Sequence, residues 1–289
     1  MLEIMKKINN KWTAVTSIVI VALLFSCHPD DGLGDGNGLK TDGLASSFTV
    51  TPIPNSSNRF LLTADASQAL GLKWNKGDGN YNFGLATDSL FLPDIGTYTV
   101  GLSVIGKGGE VAQSTQNVSI TTADPIAGNL VLGARFDTPD DISKWTVLKI
   151  SASGAAWNFG NGVATVTGSG YNQQGIYQAI NVVAGNTYKI DLLASSTTGL
   201  TDTWFEVYCS TTAPAQGQDY TAGGIKRNIN TWDGCGKSAF SGKVSVIGCN
   251  SSKNGGTFTA TTTGVMYLVI KCGGGSANVS IDNVEVRRK

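Results

Sequence analysis

Two stretches decide the fold of this chain: GIYQAI at residues 175–180 and VAGNTYKI at residues 183–190. Both are short runs rich in β-branched and aromatic residues, and the Gly-Asn pair inside the second marks a turn. Runs of this kind recur from residue 48 to residue 287, and almost no segment keeps the 3.6-residue apolar period of a helix. Short strands separated by Gly, Asn, Asp and Ser are typical of antiparallel sandwiches. We therefore predict an all-β fold.

The composition excludes several classes of function. The 289 residues include 21 basic and 21 acidic side chains, so the formal net charge is zero. Nucleic-acid binding needs clustered Lys and Arg, and a neutral, charge-poor chain argues against it. The single histidine, His28, leaves the rest of the chain without the central residue of Ser-His-Asp, Cys-His and His-rich zinc sites. The length predicts one or two domains.

The first 27 residues, MLEIMKKINNKWTAVTSIVIVALLFSC, combine early lysines with an apolar stretch over residues 14–25. This arrangement is typical of a secretory signal peptide. The ending Leu24-Phe25-Ser26-Cys27 resembles the lipobox of bacterial lipoproteins, in which the cysteine is lipidated and becomes the first mature residue. The resemblance implies a signal peptide over residues 1–26, a lipid anchor on Cys27 and a cell-surface location at the outer membrane. An uncleaved N-terminal anchor is the alternative.

Residues 27–44 are rich in Gly, Asp and Asn and contain little that could pack a core. We therefore predict a flexible tether here. The acidic pair Asp30-Asp31, close behind the cysteine, resembles the surface-export signal of lipoproteins in glycan-foraging Gram-negative bacteria.

Residues 45–123 form the first predicted domain. The phrases LKWNKGDG at 72–79 and PDIGTYTV at 93–100 resemble PKD-type immunoglobulin-like domains, with their Trp-x-x-Gly-Asp-Gly turn and later Gly-x-Tyr-x-Val strand. The resemblance implies a small β-sandwich with Trp74 at its buried centre and Tyr98 facing inward. Such domains are usually spacers, and a direct contribution to ligand contact is the alternative.

Residues 129–289 form the second predicted domain. The two stretches quoted first, together with NLVL at 129–132, Phe-Asp at 136–137 and SIDNVEV at 280–286, resemble galactose-binding-like β jelly rolls that serve as carbohydrate-binding modules, especially of the family 4/9/22 type. That family commonly carries a structural calcium. The resemblance places its carboxylate ligands at Asp137 and Asp282, which are otherwise ordinary turn and cap residues.

A sugar site also has an argument from the residues alone. Pyranose rings have an apolar C–H face and a hydroxyl rim, so their sites pair exposed aromatic rings with amide, carboxylate or guanidinium groups. Alternation along the predicted strand 203–209 separates two sets of residues. The core-facing set is Phe205, Val207 and Cys209, and the outward-facing set is Trp204, Glu206 and Tyr208. The outward-facing set is our first candidate for the site, unless the long loop 210–255 covers it.

Further candidates for sugar contact stand in predicted loops. Trp157 and Trp232 lie beside Asn or Asp, where an indole serves either as a ligand platform or in loop packing. Tyr171 begins a polar run that ends at Gln174, suited to hydrogen bonds with hydroxyl groups or to a solvated turn. Arg227 is a candidate hydroxyl donor on weaker grounds.

Four cysteines follow Cys27, and an even number in an exported domain permits two disulfides. Cys235 and Cys249 flank one segment, so a bridge between them would close a long loop of the candidate site. Cys209 and Cys272 fall on inward positions of two strands, where they either pair or stay buried free thiols.

Taken together, these features resemble the surface glycan-binding lipoproteins, of the SusE/SusF-position type, that accompany SusC/SusD-like importers in polysaccharide-utilisation systems. The resemblance implies a non-catalytic protein that captures a neutral polysaccharide, with a β-glucan such as laminarin favoured, and that needs no catalytic cofactor. A structural or adhesive surface protein is one alternative. A glycosidase or lyase is another, but it needs a catalytic carboxylate pair, and the four glutamates fall in no shared motif.

Overall fold

The computed structural model describes residues 43–250 and 255–289. The predicted signal peptide, the predicted lipidation residue Cys27 and nearly all of the predicted tether lie outside the described residues. Within the two described ranges, no helix has the length and apolar character needed to cross a membrane.

The described part of the chain is almost entirely β-structure, which confirms the predicted all-β fold. Its strands are β1 (Phe48–Pro52), β2 (Arg59–Ala64), β3 (Ala69–Lys76), β4 (Tyr81–Gly84), β5 (Thr87–Phe91), β6 (Gly96–Gly106), β7 (Val111–Ile120), β8 (Thr146–Lys149), β9 (Ala155–Gly160), β10 (Val163–Val182), β11 (Thr187–Ser196), β12 (Thr201–Ser210), β13 (Ile225–Asn230), β14 (Phe240–Lys243), β15 (Thr257–Thr259) and β16 (Gly264–Arg288). Two short helices accompany them, α1 (Pro139–Ser143) and α2 (Val244–Ile247).

Strands β1 to β7 form two sheets, one in the order β1-β2-β5 and one in the order β4-β3-β6-β7. Trp74 on β3 is buried, as the resemblance to PKD-type domains implies. Its indole N–H donates to the carbonyl of Leu85 at 2.9 Å, and its ring meets Phe48 of β1 edge-on. Trp74 therefore packs between the two sheets.

The turn after β3 follows the predicted Gly-Asp-Gly pattern. Gly77 and Gly79 both have positive φ angles, 97° and 82°, which disfavour a side chain. The side-chain oxygen of Asn75 accepts hydrogen bonds from both backbone N–H groups, at 2.9 and 3.0 Å. Tyr98 on β6 is partly buried, and its hydroxyl donates to the carbonyl of Asp94 at 3.1 Å.

Strands β8 to β16 form one nine-stranded sheet in which the long strands β10 and β16 pair with each other. A bulge after residue 169 divides this ladder into two halves. Residues 172–182 pair with 264–274, and this half continues to β8 on one side and to β12 and β13 on the other. Residues 164–169 pair with 276–281, and this half continues through β9, β11, β14 and β15. The long strands thus pass from one layer of a sandwich to the other.

Apolar side chains from both halves fill the space between the layers. They include Ile176, Ile180, Phe205, Val207, Leu268 and Ile270 from the first half, and Ala164, Val166, Leu192, Val279 and Ile281 from the second. Cys209 and Cys272 are buried in the same core as free thiols, so they do not pair with each other. Of the two sequence-based alternatives for these cysteines, the structure supports free thiols.

The chain divides into two compact units. One contains the described residues up to Val50 with Leu61–Asp88 and Thr99–Asn117, and the other contains Thr51–Phe60, Ser89–Tyr98 and Val118–Lys289. The strands of the two smaller sheets lie between Phe48 and Ile120, and those of the nine-stranded sheet lie between Thr146 and Arg288. The domain bounds 45–123 and 129–289 stay a prediction.

Candidate functional site

An open cleft of about 370 Å³ lies on the face of β12 and β16 that points away from the core. We name it the Trp204 cleft. Its lining residues are Gln173, Trp204, Glu206, Tyr208, Asp219, Thr221, Asn230, Trp232 and Lys271. Four of the residues predicted from the sequence therefore meet in one place.

Strand β12 positions the cleft residues by simple alternation. Trp204 lies opposite Gly273 of β16, and Glu206 lies opposite Lys271. Phe205, between the two cleft residues, is fully buried in the core. The predicted separation of this strand into an apolar face and an aromatic, acidic face is confirmed.

Two tryptophans form an aromatic wall of the cleft. The ring centroids of Trp204 and Trp232 are 6.0 Å apart, and the ring planes make an angle of 35°. Trp204 is partly buried: its ring lies close over the backbone of Gly273, and its indole N–H donates to Oε1 of Gln173 at 3.4 Å. Trp232 is 56% exposed. The wall thus has one ring set into the sheet and one ring open to solvent.

A buried lysine holds the charges of the cleft together. The side chain of Lys271 is only 3% exposed, and its Nζ lies 2.6 Å from Oδ1 of Asp219 and 3.4 Å from Oε2 of Glu206. The hydroxyl of Tyr208 donates to the same Glu206 oxygen at 2.7 Å. Because one ammonium faces two carboxylates, the cluster has one excess negative charge. Asp219, whose side chain is 47% exposed, carries part of it to the surface.

Tyr208 is not the exposed aromatic platform that alternation alone suggests. Its ring is buried, and Tyr220, from the segment that follows β12, packs edge-on against it at 6.0 Å between centroids. This burial raises the pKa of Tyr208, and the hydrogen bond to Glu206 adds to the increase. The predicted alternative, a loop covering this face, is therefore correct at Tyr208. At Trp204 the same segment contributes Trp232 as a neighbouring ring and leaves the cleft open.

The structure does not bring Trp157 to the cleft. Trp157 lies on β9 inside the core, where its indole N–H donates to the carbonyl of Gln174 at 3.2 Å. Gln174 is also misplaced by the sequence-based interpretation, because its cross-strand neighbour Cys272 is a core residue. Alternation along β10 puts the preceding residue, Gln173, on the cleft face instead.

Arg227 and Tyr171 also lie away from the cleft lining. Arg227 is 1% exposed, because its β13 position faces Val207 on the core side, and its Nε donates to the carbonyl of Ile190 at 2.9 Å. Burial lowers the pKa of Arg227. Tyr171 stands at the β10 bulge with a positive φ of 63°, and its side chain is 59% exposed outside the cleft.

The predicted disulfide between Cys235 and Cys249 is present, with 5.3 Å between the Cα atoms. It closes the segment that begins directly after the Trp232 loop. The backbone N–H of Asn230, a cleft residue, points at both sulfur atoms from 3.1 and 3.2 Å. The bridge is therefore part of the cleft's support.

The two predicted calcium ligands lie in each other's electrostatic field. Burial raises the pKa of Asp282, and the negative charge of Asp137 raises it further. However, Arg135 already pairs with Asp137 at 3.0 Å. Calcium takes six to eight oxygen ligands, and among the described residues no three His, Cys, Asp or Glu side chains gather as a metal site. Asp137 and Asp282 would supply two carboxylates, and backbone carbonyls would have to supply the remaining oxygens. The calcium site stays a prediction.

Lys271, Asp219 and Asn230 were not among the candidates taken from the sequence. Lys271 had a usable signal, because it is a single charge in the apolar run Leu268–Cys272 and alternation places it outward, between the inward Ile270 and Cys272. Asp219 and Asn230 had none, since only the folded loops bring them to β12.

No known family model matches the chain, and no curated protein matches it. Solved structures match at low identity. One is a structure from work on the promiscuous specificity of carbohydrate-binding modules of the β-sandwich superfamily. It is 15% identical, with a TM-score of 0.31, and the match covers 83% of this chain and 96% of that one. A CBM4 structure is 17% identical, with a TM-score of 0.34, and the match covers 55% of this chain and 99% of that one. The enzymatically active domain of bacteriophage CBA120 tailspike protein 4 is 12% identical, with a TM-score of 0.33, and the match covers 56% of this chain and 21% of that one. Likeness at this level concerns the fold alone.

Proposed function

We propose that this protein is a non-catalytic binder of a neutral polysaccharide and that the Trp204 cleft is its binding site. The observation that carries the proposal is the pairing of an exposed Trp232 ring with the fixed polar groups beside it. An indole offers an apolar face for the C–H side of a sugar ring, and the carboxylates and amides accept or donate hydrogen bonds at its hydroxyl rim. An exposed tryptophan of this kind contributes nothing to the core.

The charges of the cleft favour a neutral ligand. The ammonium of Lys271 is buried and already paired, so it is not free to receive a carboxylate or sulfate from a ligand. The excess negative charge of Glu206 and Asp219 repels anionic sugars. A neutral glycan meets neither obstacle.

A β-glucan such as laminarin is the first ligand to test. The planes of Trp204 and Trp232 differ by 35°, so two successive sugars contact both rings only if the chain turns between them. A β-1,3-linked chain turns in this way, and its sugars carry no charge. The cleft is also open at the surface, which suits internal stretches of a long chain.

The setting of the cleft is the second part of the proposal. The lipobox-like Leu24-Phe25-Ser26-Cys27 supports a lipid anchor at the outer membrane. Residues 45–123 would then serve as a PKD-type spacer that carries the cleft away from the membrane. In this arrangement the protein captures glycan at the cell surface for a SusC/SusD-like importer.

A binding screen tests the proposal. The purified full chain is titrated calorimetrically with laminarin, xylan, mannan and an α-glucan, and laminarin is expected to bind. Absence of binding to all four would refute the glycan function and leave the adhesive alternative. Prolonged incubation should release no new reducing ends, and their appearance would overturn the non-catalytic assignment.

Single substitutions then test the site. Trp232→Ala and Trp204→Ala should each lose about 1–3 kcal/mol of binding free energy, the usual loss for a buried aromatic anchor. Tyr171→Ala is the matched control, because Tyr171 is an equally exposed aromatic residue outside the cleft. Unchanged affinity in both tryptophan variants, or an equal loss in the control, would place the site elsewhere.

A further inference from the structure

The loop that carries Trp232 is built around Asn230, the last residue of β13. The backbone N–H of Trp232 donates to Oδ1 of Asn230 at 2.9 Å. The backbone N–H groups of Asp233 and Cys235 both donate to the carbonyl of Asn230, at 3.1 and 3.3 Å. The direction of the exposed indole therefore depends on how firmly Asn230 is held.

The disulfide holds Asn230 from the other side. The backbone N–H of Asn230 lies 3.1 Å from Sγ of Cys235 and 3.2 Å from Sγ of Cys249. Cys249 is itself buried, and its N–H donates to the carbonyl of Asn228 on β13 at 3.2 Å. One end of the bridge, Cys249, is thus anchored against the sheet, and the other end, Cys235, is the residue at which the Trp232 loop ends.

Holding a loop in its bound conformation raises affinity because binding then does not have to order it. The bridge does not enclose Trp232, but it fixes Cys235 at the end of the Trp232 loop, which leaves that loop fewer conformations to lose. Most of the core packing comes from apolar side chains of the strands on both sides, and of the two bridge cysteines only Cys235 packs against the core, as a partly buried side chain. The bridge is therefore placed where it affects the aromatic wall more than the sandwich.

We propose that the Cys235–Cys249 disulfide is a positioning element for Trp232 and that its reduction lowers glycan affinity while the sandwich stays folded. The inference rests on the proposed glycan function. A dithiol reductant breaks the S–S bond, leaves one thiol on each cysteine and is itself oxidised to its cyclic disulfide. Cys209 is already a free thiol with no S–S bond to break, and burial raises the pKa of this thiol to about 12.

The test compares the full chain with the Cys235→Ser/Cys249→Ser variant, using laminarin as the probe. Affinity should fall about three- to ten-fold, the cost of ordering one large side chain and its loop on binding. In a Trp232→Ala background the same two substitutions should change affinity no further, because coupled residues are not additive. An equal loss in both backgrounds, or no loss in the first, would overturn the inference.

A control separates positioning from general destabilisation. Cys209→Ala removes a core thiol and should lower the melting temperature without changing laminarin affinity. Hydrogen exchange of the Trp232 and Cys235 amides gives a readout that needs no ligand, and both amides should exchange faster without the bridge. If the wild type binds no glycan, the proposed function fails by itself. Unchanged amide exchange would instead reject the positioning role.

Discussion

The two faces of strand β12 have neighbouring residues but different physical tasks. Phe205 and Val207 are completely buried between the layers of the sandwich. Trp204 and Glu206, each one residue away, line an open cleft. On the core face only size and apolar character matter, whereas on the cleft face each side chain has a specific partner.

The neighbouring strand β16 shows the same difference between its core face and its cleft face at the buried residue Lys271. Lys271 lies between Ile270 and Cys272, two core residues, yet its own side chain is paired with carboxylates on the opposite face. Buried ion pairs are often no more stabilising than apolar residues of equal size. Stability alone therefore does not account for Lys271. The binding function that we propose would account for it, because Lys271 holds Glu206 and Asp219 in place beside the cleft.

The largest expected effect separates stability from binding on this one strand. Phe205→Ala should lower the free energy of unfolding by about 3–5 kcal/mol, because it removes a fully buried ring and leaves a cavity. The neighbouring Trp204→Ala should lower it by less than about 1 kcal/mol while weakening glycan binding. Urea unfolding and calorimetric titration of both variants measure the two quantities.

Two outcomes would contradict this contrast between the two faces of β12. A Trp204→Ala variant as unstable as Phe205→Ala would mean that the small buried cluster on this face, which contains Tyr208, Tyr220 and Val269, extends to Trp204. Full laminarin affinity in Trp204→Ala would mean that the exposed wall has no role in binding.

The next effect concerns the backbone beneath the cleft. A Cβ at Gly273 would lie 2.7 Å from Cζ2 of Trp204 and 2.5 Å from Cβ of Gln173, closer than side-chain atoms pack. Gly273→Ala should therefore displace both cleft residues, cost about 1–3 kcal/mol of unfolding free energy and reduce affinity as much as Trp204→Ala. Gly160→Ala is the control, because no atom lies within 4 Å of a Cβ there. Unaltered affinity in Gly273→Ala would show that Trp204 need not lie on this backbone.

The sequence predicted the parts of this arrangement that depend on strand periodicity. Alternation assigned Trp204 and Glu206 to one face and Phe205 to the other, because both faces repeat every second residue. It could not separate Trp157 from Trp232, since each stands beside polar residues and only the folded chain shows one in a core strand and one in a surface loop.

Strand periodicity could not predict the features of the cleft that depend on contacts between loops and the sheet. The segment after β12 returns over the sheet, so Tyr220 buries Tyr208 and Asp219 reaches Lys271. The pairing of Cys235 with Cys249 was accessible from the sequence because the two flank one segment. Its contact with Asn230 was not, because that contact depends on how the loop packs.

The smallest effect concerns an acidic residue farther along β16. Lys271 is balanced by opposite charges, whereas Asp282 lies partly buried in the field of Asp137, and both burial and that charge raise the pKa of Asp282 above 3.8. A raised pKa means that the folded state prefers the protonated form. The stability from Asp282 is therefore complete below pH 3.8 and is lost as the pH rises through the folded-state pKa.

Asp282→Asn should accordingly raise the melting temperature at about pH 7 in a chelator, and the gain over the wild type should vanish near about pH 3. Asparagine has the same shape and keeps an oxygen that can accept the hydrogen bond from the backbone N–H of Asn283. The substitution therefore removes the charge and one acceptor, the oxygen that takes the hydrogen bond of the Asn283 side-chain amide at 2.9 Å. The same pair of proteins tests the predicted calcium site, because a bound cation would make the wild type, not Asp282→Asn, the protein with the higher melting temperature. Added calcium would then stabilise the wild type but not Asp282→Asn. A wild type more stable than the variant in chelator would contradict the charge argument, since burial and the charge of Asp137 would then not favour the protonated form of Asp282.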